Sequence, residues 1–133
     1  MEGRITAEGG SFFNRVPAGA DMYLLVRVLH DWKDEDCLRI LRTCRTAMRH
    51  DSVLLLGEEI LEIDPARGKA TSYLIDMQMM AMFGHARARS EAEFRSLLDR
   101  TGFAFQRIIS TVPCFDHRGH ARACGTLVNI RAH

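Results

Sequence analysis

The sequence predicts a single α/β domain in which a sheet carries helices on both faces and is finished by an antiparallel strand. Three observations predict it. Two nearly unbroken apolar runs, residues 22–29 and 53–56, are rich in branched side chains, as strands buried on both faces are. Between them lies a segment with apolar residues at helical spacing, which makes a β-α-β unit whose strands run parallel and close together through a right-handed crossover. After two further helical segments, strand-like runs at residues 103–112 and 126–130 are set up to pair as an antiparallel hairpin. With 133 residues, 47% of them hydrophobic, the chain is long enough for one core and short for two, so residues 1–133 form one domain.

Residues 1–20 hold Gly3, Gly9, Gly10, Pro17 and Gly19 around Ser11-Phe12-Phe13 and read as loop with at most one short strand. Neither GxGxxG nor GxxxxGK[ST] occurs, so the stretch has no phosphate-cradling loop. The first strand, Met22 to Leu29, ends abruptly in His30, Asp31 and the only tryptophan, Trp32. Lys33-Asp34-Glu35-Asp36 then opens a helix whose apolar side is Cys37, Leu38, Leu41, Cys44 and Met48. Its acids lie in the first turn and Arg42, Arg45 and Arg49 lie toward its end, which suits the helix dipole. Val53 to Leu56 runs into Gly57-Glu58-Glu59. Residues 63–70, with Asp64-Pro65 and Gly68, form a loop. A second helix from Thr71 to Phe83 holds Tyr73 and Leu74 and has four methionines in six positions, Met77, Met79, Met80 and Met82, which either fill the core or make a flexible wall for an apolar ligand. Residues 84–89 read as a solvated basic loop, in which His85 and its arginine neighbours would otherwise attract an anion. Ser90-Glu91-Ala92-Glu93 is a capping box that starts a third helix with Phe94, Leu97 and Leu98 as its buried stripe, and Gly102 is placed to end it. Residues 113–124 are a polar loop before the last strand.

The chemistry centres on His30. It stands just past the carboxyl end of the first strand, where the crevice of an open α/β sheet receives ligands. Imidazole is largely uncharged at neutral pH and so can accept a proton. Glu58 stands at the same end of the next strand, and neighbouring strands lie about 4.8 Å apart, close enough for the two side chains to meet or to share a substrate. A solvated histidine is the plainer reading of His30 alone; the pair favours a catalytic position. Glu59 and Glu62 read as solvated acids. The formal charge of +1 with signs interspersed gives no basic stripe and excludes a nucleic-acid interface. No apolar run approaches the roughly 18 residues of a membrane span and no signal-peptide core follows Met1, so the expectation is a soluble cytoplasmic protein. The four cysteines form no CxxC pair and read as reduced thiols. Cys114, His117, His120 and Cys124 match no standard zinc spacing, so no metal site is expected.

Taken in order, Gly10-Ser11-Phe12-Phe13, Val16-Pro17-Ala18-Gly19-Ala20-Asp21, Tyr23-Leu24-Leu25, Leu29-His30-Asp31-Trp32 and Cys37-Leu38-Arg39-Ile40-Leu41 resemble the second half of an S-adenosylmethionine-dependent O-methyltransferase of the caffeate and hydroxyindole type. The resemblance continues through Leu56-Gly57-Glu58-Glu59-Ile60-Leu61, Asp76, Arg89-Ser90-Glu91-Ala92-Glu93-Phe94 and Thr101-Gly102-Phe103, which is nearly the whole chain. It implies a partial Rossmann-like methyltransferase sheet with a final antiparallel strand, S-adenosylmethionine as cofactor, and methyl transfer to the hydroxyl of a small molecule. By the same resemblance His30 is the catalytic base and Glu58 is one of two acids that orient it. Ser11 and Phe12 hold the adenine side of the cofactor, Met79 and Phe83 line the substrate, and Asp31 and Trp32 are mostly structural. Three positions depart from the family pattern. The second orienting acid falls on Ala88, Ser11 replaces an aspartate, and Val26 replaces a lysine that faces the cofactor. The glycine-rich cofactor loop, the ribose-binding acid and the family's dimerisation domain would all precede Met1. The chain is therefore expected to be the carboxyl-terminal portion of a catalytic domain, acting as a homodimer or with a missing N-terminal half, or else to be a noncatalytic remnant or interaction subunit.

Overall fold

A computed structural model describes residues 3–64, 66, 70–84, 87–109, 114–115, 121–122 and 126–132, with side chains for all of these except 70–72, 75, 79, 83, 114–115, 121–122, 126–127 and 132. The elements in chain order are β1 (Met22–Val26), a 3₁₀ turn (Leu29–Asp31), α1 (Asp34–Ala47), β2 (Val53–Glu58), α2 (Ala70–Phe83), α3 (Glu91–Asp99), β3 (Phe103–Ile109), β4 (Cys114–Phe115), β5 (Ala121–Arg122) and β6 (Thr126–Ala132). One mixed sheet runs β1-β2-β6-β3. β1 and β2 are parallel, with Met22 opposite Val53 and Val26 opposite Gly57, as the β-α-β pattern requires. β6 is antiparallel to both of its neighbours, and a bulge between Phe105 and Arg107 interrupts its ladder with β3.

The core lies on one face of this sheet. Leu54 and Leu56 from β2, Val128 and Ile130 from β6 and Phe103 from β3 meet Cys37, Leu38, Ile40, Leu41 and Cys44 from α1 and Phe94, Leu97 and Leu98 from α3. Each fully buried leucine, isoleucine or phenylalanine here contributes about 1.5–3 kcal/mol. The α1 stripe is the one read from sequence, and Asp34, Glu35 and Asp36 occupy its first turn as the dipole favours. α3 opens with the expected capping box, the Ser90 side chain accepting from the Glu93 amide while the Glu93 carboxylate accepts from the Ser90 amide. That cap contributes about 1 kcal/mol. Gly102, at φ +76°, turns the chain out of α3 into β3 in the left-handed region that favours glycine.

Four expectations change. The apolar run 22–29 does not stay extended: β1 ends at Val26, Arg27 takes a positive φ of 55°, and Leu29 begins the 3₁₀ turn. The cause is the Glu58 carboxylate, which takes the Val28 and Leu29 amides that a continuing strand would have given to a neighbour. Nor is β1 buried on both faces. It is an edge strand, with Met22, Leu24 and Val26 each more than half exposed. Among the described side chains of α2, Leu74, Met77, Met80 and Met82 are 53–67% exposed, so of the two readings of the methionines core filling fails for Met77, Met80 and Met82. Finally, the polar loop after β3 contains a short antiparallel pair, β4 with β5, whose two-residue ladder is too short to leave a period in the sequence. His85, His117, His120 and Cys124 lie outside the described residues.

Candidate active site

β1 and β2 end side by side, and the geometry there follows from one carboxylate. Glu58 is the last residue of β2, with its side chain 1% exposed. Its Oε1 accepts from the Val28 amide at 3.0 Å and the Leu29 amide at 2.8 Å, while its Oε2 lies 2.9 Å from His30 Nδ1. The two residues singled out from sequence are therefore in direct contact. His30 keeps 15% of its side-chain surface open, and its other ring nitrogen, Nε2, lies 3.1 Å from the Asp31 carboxylate, which is half exposed. Asp31 thus touches the ring of the residue it follows.

The carbonyl side of the same turn is held by groups that sequence reading missed. Arg89, read as part of a solvated basic loop, is 1% exposed. Its Nη1 donates to the Leu29 carbonyl at 2.8 Å and its Nη2 to the Trp32 carbonyl at 2.7 Å. Nε and Nη2 both donate to Asp34 Oδ1, at 3.0 and 2.8 Å. A buried guanidinium needs such pairing, because an unpaired charge in the interior costs several kcal/mol. The Cys37 thiol also donates to the Leu29 carbonyl at 3.2 Å, and burial pushes its pKa up to about 11, so the proton it donates stays in place. The sequence signals for Arg89 were its place directly before the capping serine and its membership of the motif Arg89–Phe94; nothing in periodicity distinguished it from Arg87.

Ala88, where the resemblance puts a second acid, is buried, and its amide donates to Asp76 Oδ1 at 2.5 Å. Asp76 thereby fixes the segment leading to Arg89. On the cofactor side, Ser11 is exposed and its hydroxyl lies 3.4 Å from the Phe13 amide. Phe12 is half buried, with its ring edge-on to Trp32 at 6.1 Å between centroids and tilted against Phe13 at 5.0 Å. Packing through Trp32 brings Phe12 toward the turn that carries His30. Met79 and Phe83 lie on α2, but their side chains fall outside the described ones.

Electrostatics add a pH dependence. Burial by itself would raise the Asp34 carboxyl, but hydrogen bonds and charge from Arg89 and Arg87 outweigh it and hold the group below the ordinary carboxylate range. Glu93 is likewise lowered: burial opposes, and the Ser90 amide and the Arg87 guanidinium prevail. A carboxylate lowered in the folded state adds stability that is full above its unfolded pKa and is lost as pH falls through the folded value. The unfolding midpoint is therefore expected to drop below about pH 4. Asp34→Asn should flatten that acid limb in melts followed by circular dichroism at stepped pH. Both acids are substantially solvated, so each contributes less than about 1 kcal/mol.

The model of the O-methyltransferase domain family matches residues 1–104. The mitomycin biosynthesis 6-O-methyltransferase of Streptomyces lavendulae is 42% identical over 105 residues, covering 79% of this chain and 28% of that protein. Among solved structures, the mitomycin 7-O-methyltransferase superposes with a TM-score of 0.77 at 36% identity, over 93% of this chain and 33% of that one. An O-methyltransferase from neocarzinostatin biosynthesis, solved with S-adenosyl-L-homocysteine and 1,4-dihydroxy-2-naphthoic acid, superposes with a TM-score of 0.70 at 31% identity, again over 93% and 33%. The chain spans about a third or less of the length of these relatives. Among the described residues no helix is long and apolar enough to cross a membrane. A family match across most of the chain establishes that this chain belongs to the O-methyltransferase domain family.

Proposed function

We propose that the chain carries the acceptor side of an S-adenosylmethionine-dependent O-methyltransferase site, in which His30 takes the proton from a small-molecule hydroxyl and Glu58 orients the ring. The observation that carries this reading is the 2.9 Å contact between His30 Nδ1 and a buried carboxylate anchored on two backbone amides. A neutral imidazole has one N–H. Glu58 is fixed whereas Asp31 is half exposed, so the proton belongs on Nδ1 and Nε2 is left as the base. Asp31 turns aside for the acceptor hydroxyl. Once Nε2 has taken the proton, the ring has two N–H donors and two carboxylates beside it to receive them. When bound, S-adenosylmethionine supplies a methyl carbon whose bond to sulfur breaks as its bond to the acceptor oxygen forms.

The residues present fit the adenine end of that cofactor: Phe12 offers a ring held by Trp32, and Ser11 offers an exposed hydroxyl. Val26, 54% exposed, offers packing without charge. The relatives support a hydroxylated small molecule as acceptor, since one was solved with 1,4-dihydroxy-2-naphthoic acid and S-adenosyl-L-homocysteine. Met79 and Phe83 line the acceptor in this reading. The open face of β1 supports a covering partner, either a second copy or the remainder of the fold, and the free thiols Cys37 and Cys44 support a cytoplasmic setting.

A second reading, a noncatalytic relative, is favoured by Ala88, which supplies no carboxylate where the family pattern has one. Calorimetric titration of the chain with S-adenosylhomocysteine separates the two. Saturable one-to-one binding is the expected result. No binding by a chain that unfolds cooperatively would overturn the cofactor roles of Ser11 and Phe12 and leave the noncatalytic reading.

A further inference from the structure

We propose that Arg89 is a positioning residue for His30: its guanidinium, neutralised by Asp34, grips the carbonyl side of the turn that Glu58 grips by its amides. The inference rests on the role given to His30 above. A three-residue 3₁₀ turn holds itself poorly. Here its internal bonds are Asp31 N to Val28 O and Trp32 N to Leu29 O, both at 3.2 Å. Everything else that fixes the turn comes from outside it. The Leu29 and Trp32 carbonyls, which bracket His30 in sequence, receive the two terminal nitrogens of one guanidinium at 2.8 and 2.7 Å, and the His30 carbonyl receives the Arg87 amide at 2.9 Å. A planar fork across two carbonyls constrains both translation and rotation of the peptide units between them, and so sets the direction in which the His30 side chain leaves the backbone.

The choice of residue argues for positioning rather than bulk stability. A buried ion pair is often no more stabilising than apolar side chains of the same volume, so Arg89 and Asp34 are a poor way to fill a core. Their donors and acceptors, however, match the turn. Nε and Nη2 engage Asp34, and Nη1 and Nη2 engage the two carbonyls. A lysine ammonium at the same site is a point charge on a flexible stem and cannot hold two carbonyls and a carboxylate in one plane. The strand-like bridge of Arg89 with Ile60, and the Leu61 amide donating to the Arg89 carbonyl at 2.9 Å, tie the arginine's backbone to the segment that follows Glu58. Both grips on the turn are thereby referred to the same end of β2.

The test reads the imidazole directly. The 133-residue chain is labelled with nitrogen-15 and its ring signals are recorded by long-range proton–nitrogen correlation in mildly alkaline buffer, with those of His30 assigned by their loss in His30→Gln. In the unsubstituted chain His30 should show the Nδ1–H tautomer, because Glu58 accepts there. In Arg89→Lys, still folded by circular dichroism, that pattern should be lost and replaced by the Nε2–H form. An unchanged Nδ1–H pattern in folded Arg89→Lys overturns the inference and leaves the role of His30 standing. Should Arg89→Lys fail to fold, Asp34→Asn decides, since that side chain sits half exposed on the first turn of α1: a partial loss of the Nδ1–H pattern is expected, and no change overturns the proposal. An unsubstituted chain without the Nδ1–H pattern would overturn the orientation by Glu58 itself, and this inference with it.

Discussion

His30→Ala is expected to lower methyl-transfer turnover by about 10²–10⁴-fold, the usual contribution of a positioned general base, while leaving affinity for S-adenosylhomocysteine essentially unchanged. The asymmetry follows from placement. In the proposed reading His30 offers Nε2 to the acceptor, whereas the proposed cofactor residues, Ser11 and Phe12, lie on a separate loop, with Phe12 packed edge-on against Trp32. Turnover is best read in a chimera in which this sequence replaces the matching segment of the mitomycin 7-O-methyltransferase, so that the cofactor-binding portion is supplied. Turnover equal to that of the unsubstituted chimera would remove His30 from the mechanism.

Substitutions at Glu58 separate folding from chemistry. Glu58→Ala strands the Val28 and Leu29 amides, which a fully buried carboxylate now receives, and each buried donor left unmet costs about 1–3 kcal/mol. A loss of about 3 kcal/mol is therefore expected in urea unfolding. Glu58→Gln has a different outcome. Its carbonyl oxygen can still receive the two amides, and its NH₂ then faces Nδ1 as a donor. That arrangement forces the ring proton onto Nε2 and leaves no lone pair where the base is needed. The glutamine variant should thus stay folded and still lose turnover by about 10²-fold or more, as a histidine held in the wrong tautomer does. A folded Glu58→Gln with full turnover would show that the orientation of His30 does not depend on the carboxylate.

Much of this was legible in the amino-acid sequence, and the parts that were not share a cause. α1 and α3 announce themselves through periodicity and capping, because each buries one face in a local, repeating way, and β2 through its unbroken apolar run. The approach of His30 to Glu58 followed from parallel strands ending together. What escaped was set by partners distant in sequence. β1 stops at Val26 although Val28 and Leu29 are as apolar as their predecessors, since the decisive group is a carboxylate thirty residues away from Val28. Arg89 reads as solvated for the same reason: its acceptors, Leu29, Trp32 and Asp34, lie fifty-five to sixty residues earlier in the chain. For the methionines of α2 apolar composition left core filling and a wall for an apolar ligand both open, and Met77, Met80 and Met82 stand at the surface of the described residues.

The insertion of β6 between β2 and β3 bears on how the chain acquires its structure in time. β2 carries Glu58, and its register with β6 joins residues 53–58 to residues 126–131. During synthesis the helical segments and the β1-β2 pair can form early, but the second flank of β2 stays bare until residues 126–131 have left the ribosome. Loop-closure entropy must then be met over most of the chain before that ladder returns any stability, so the slow step of folding is the arrival of the final strand. Until it docks, two strand edges remain open to pairing with other molecules. The strand that carries Glu58 is thus completed by one far from it in sequence.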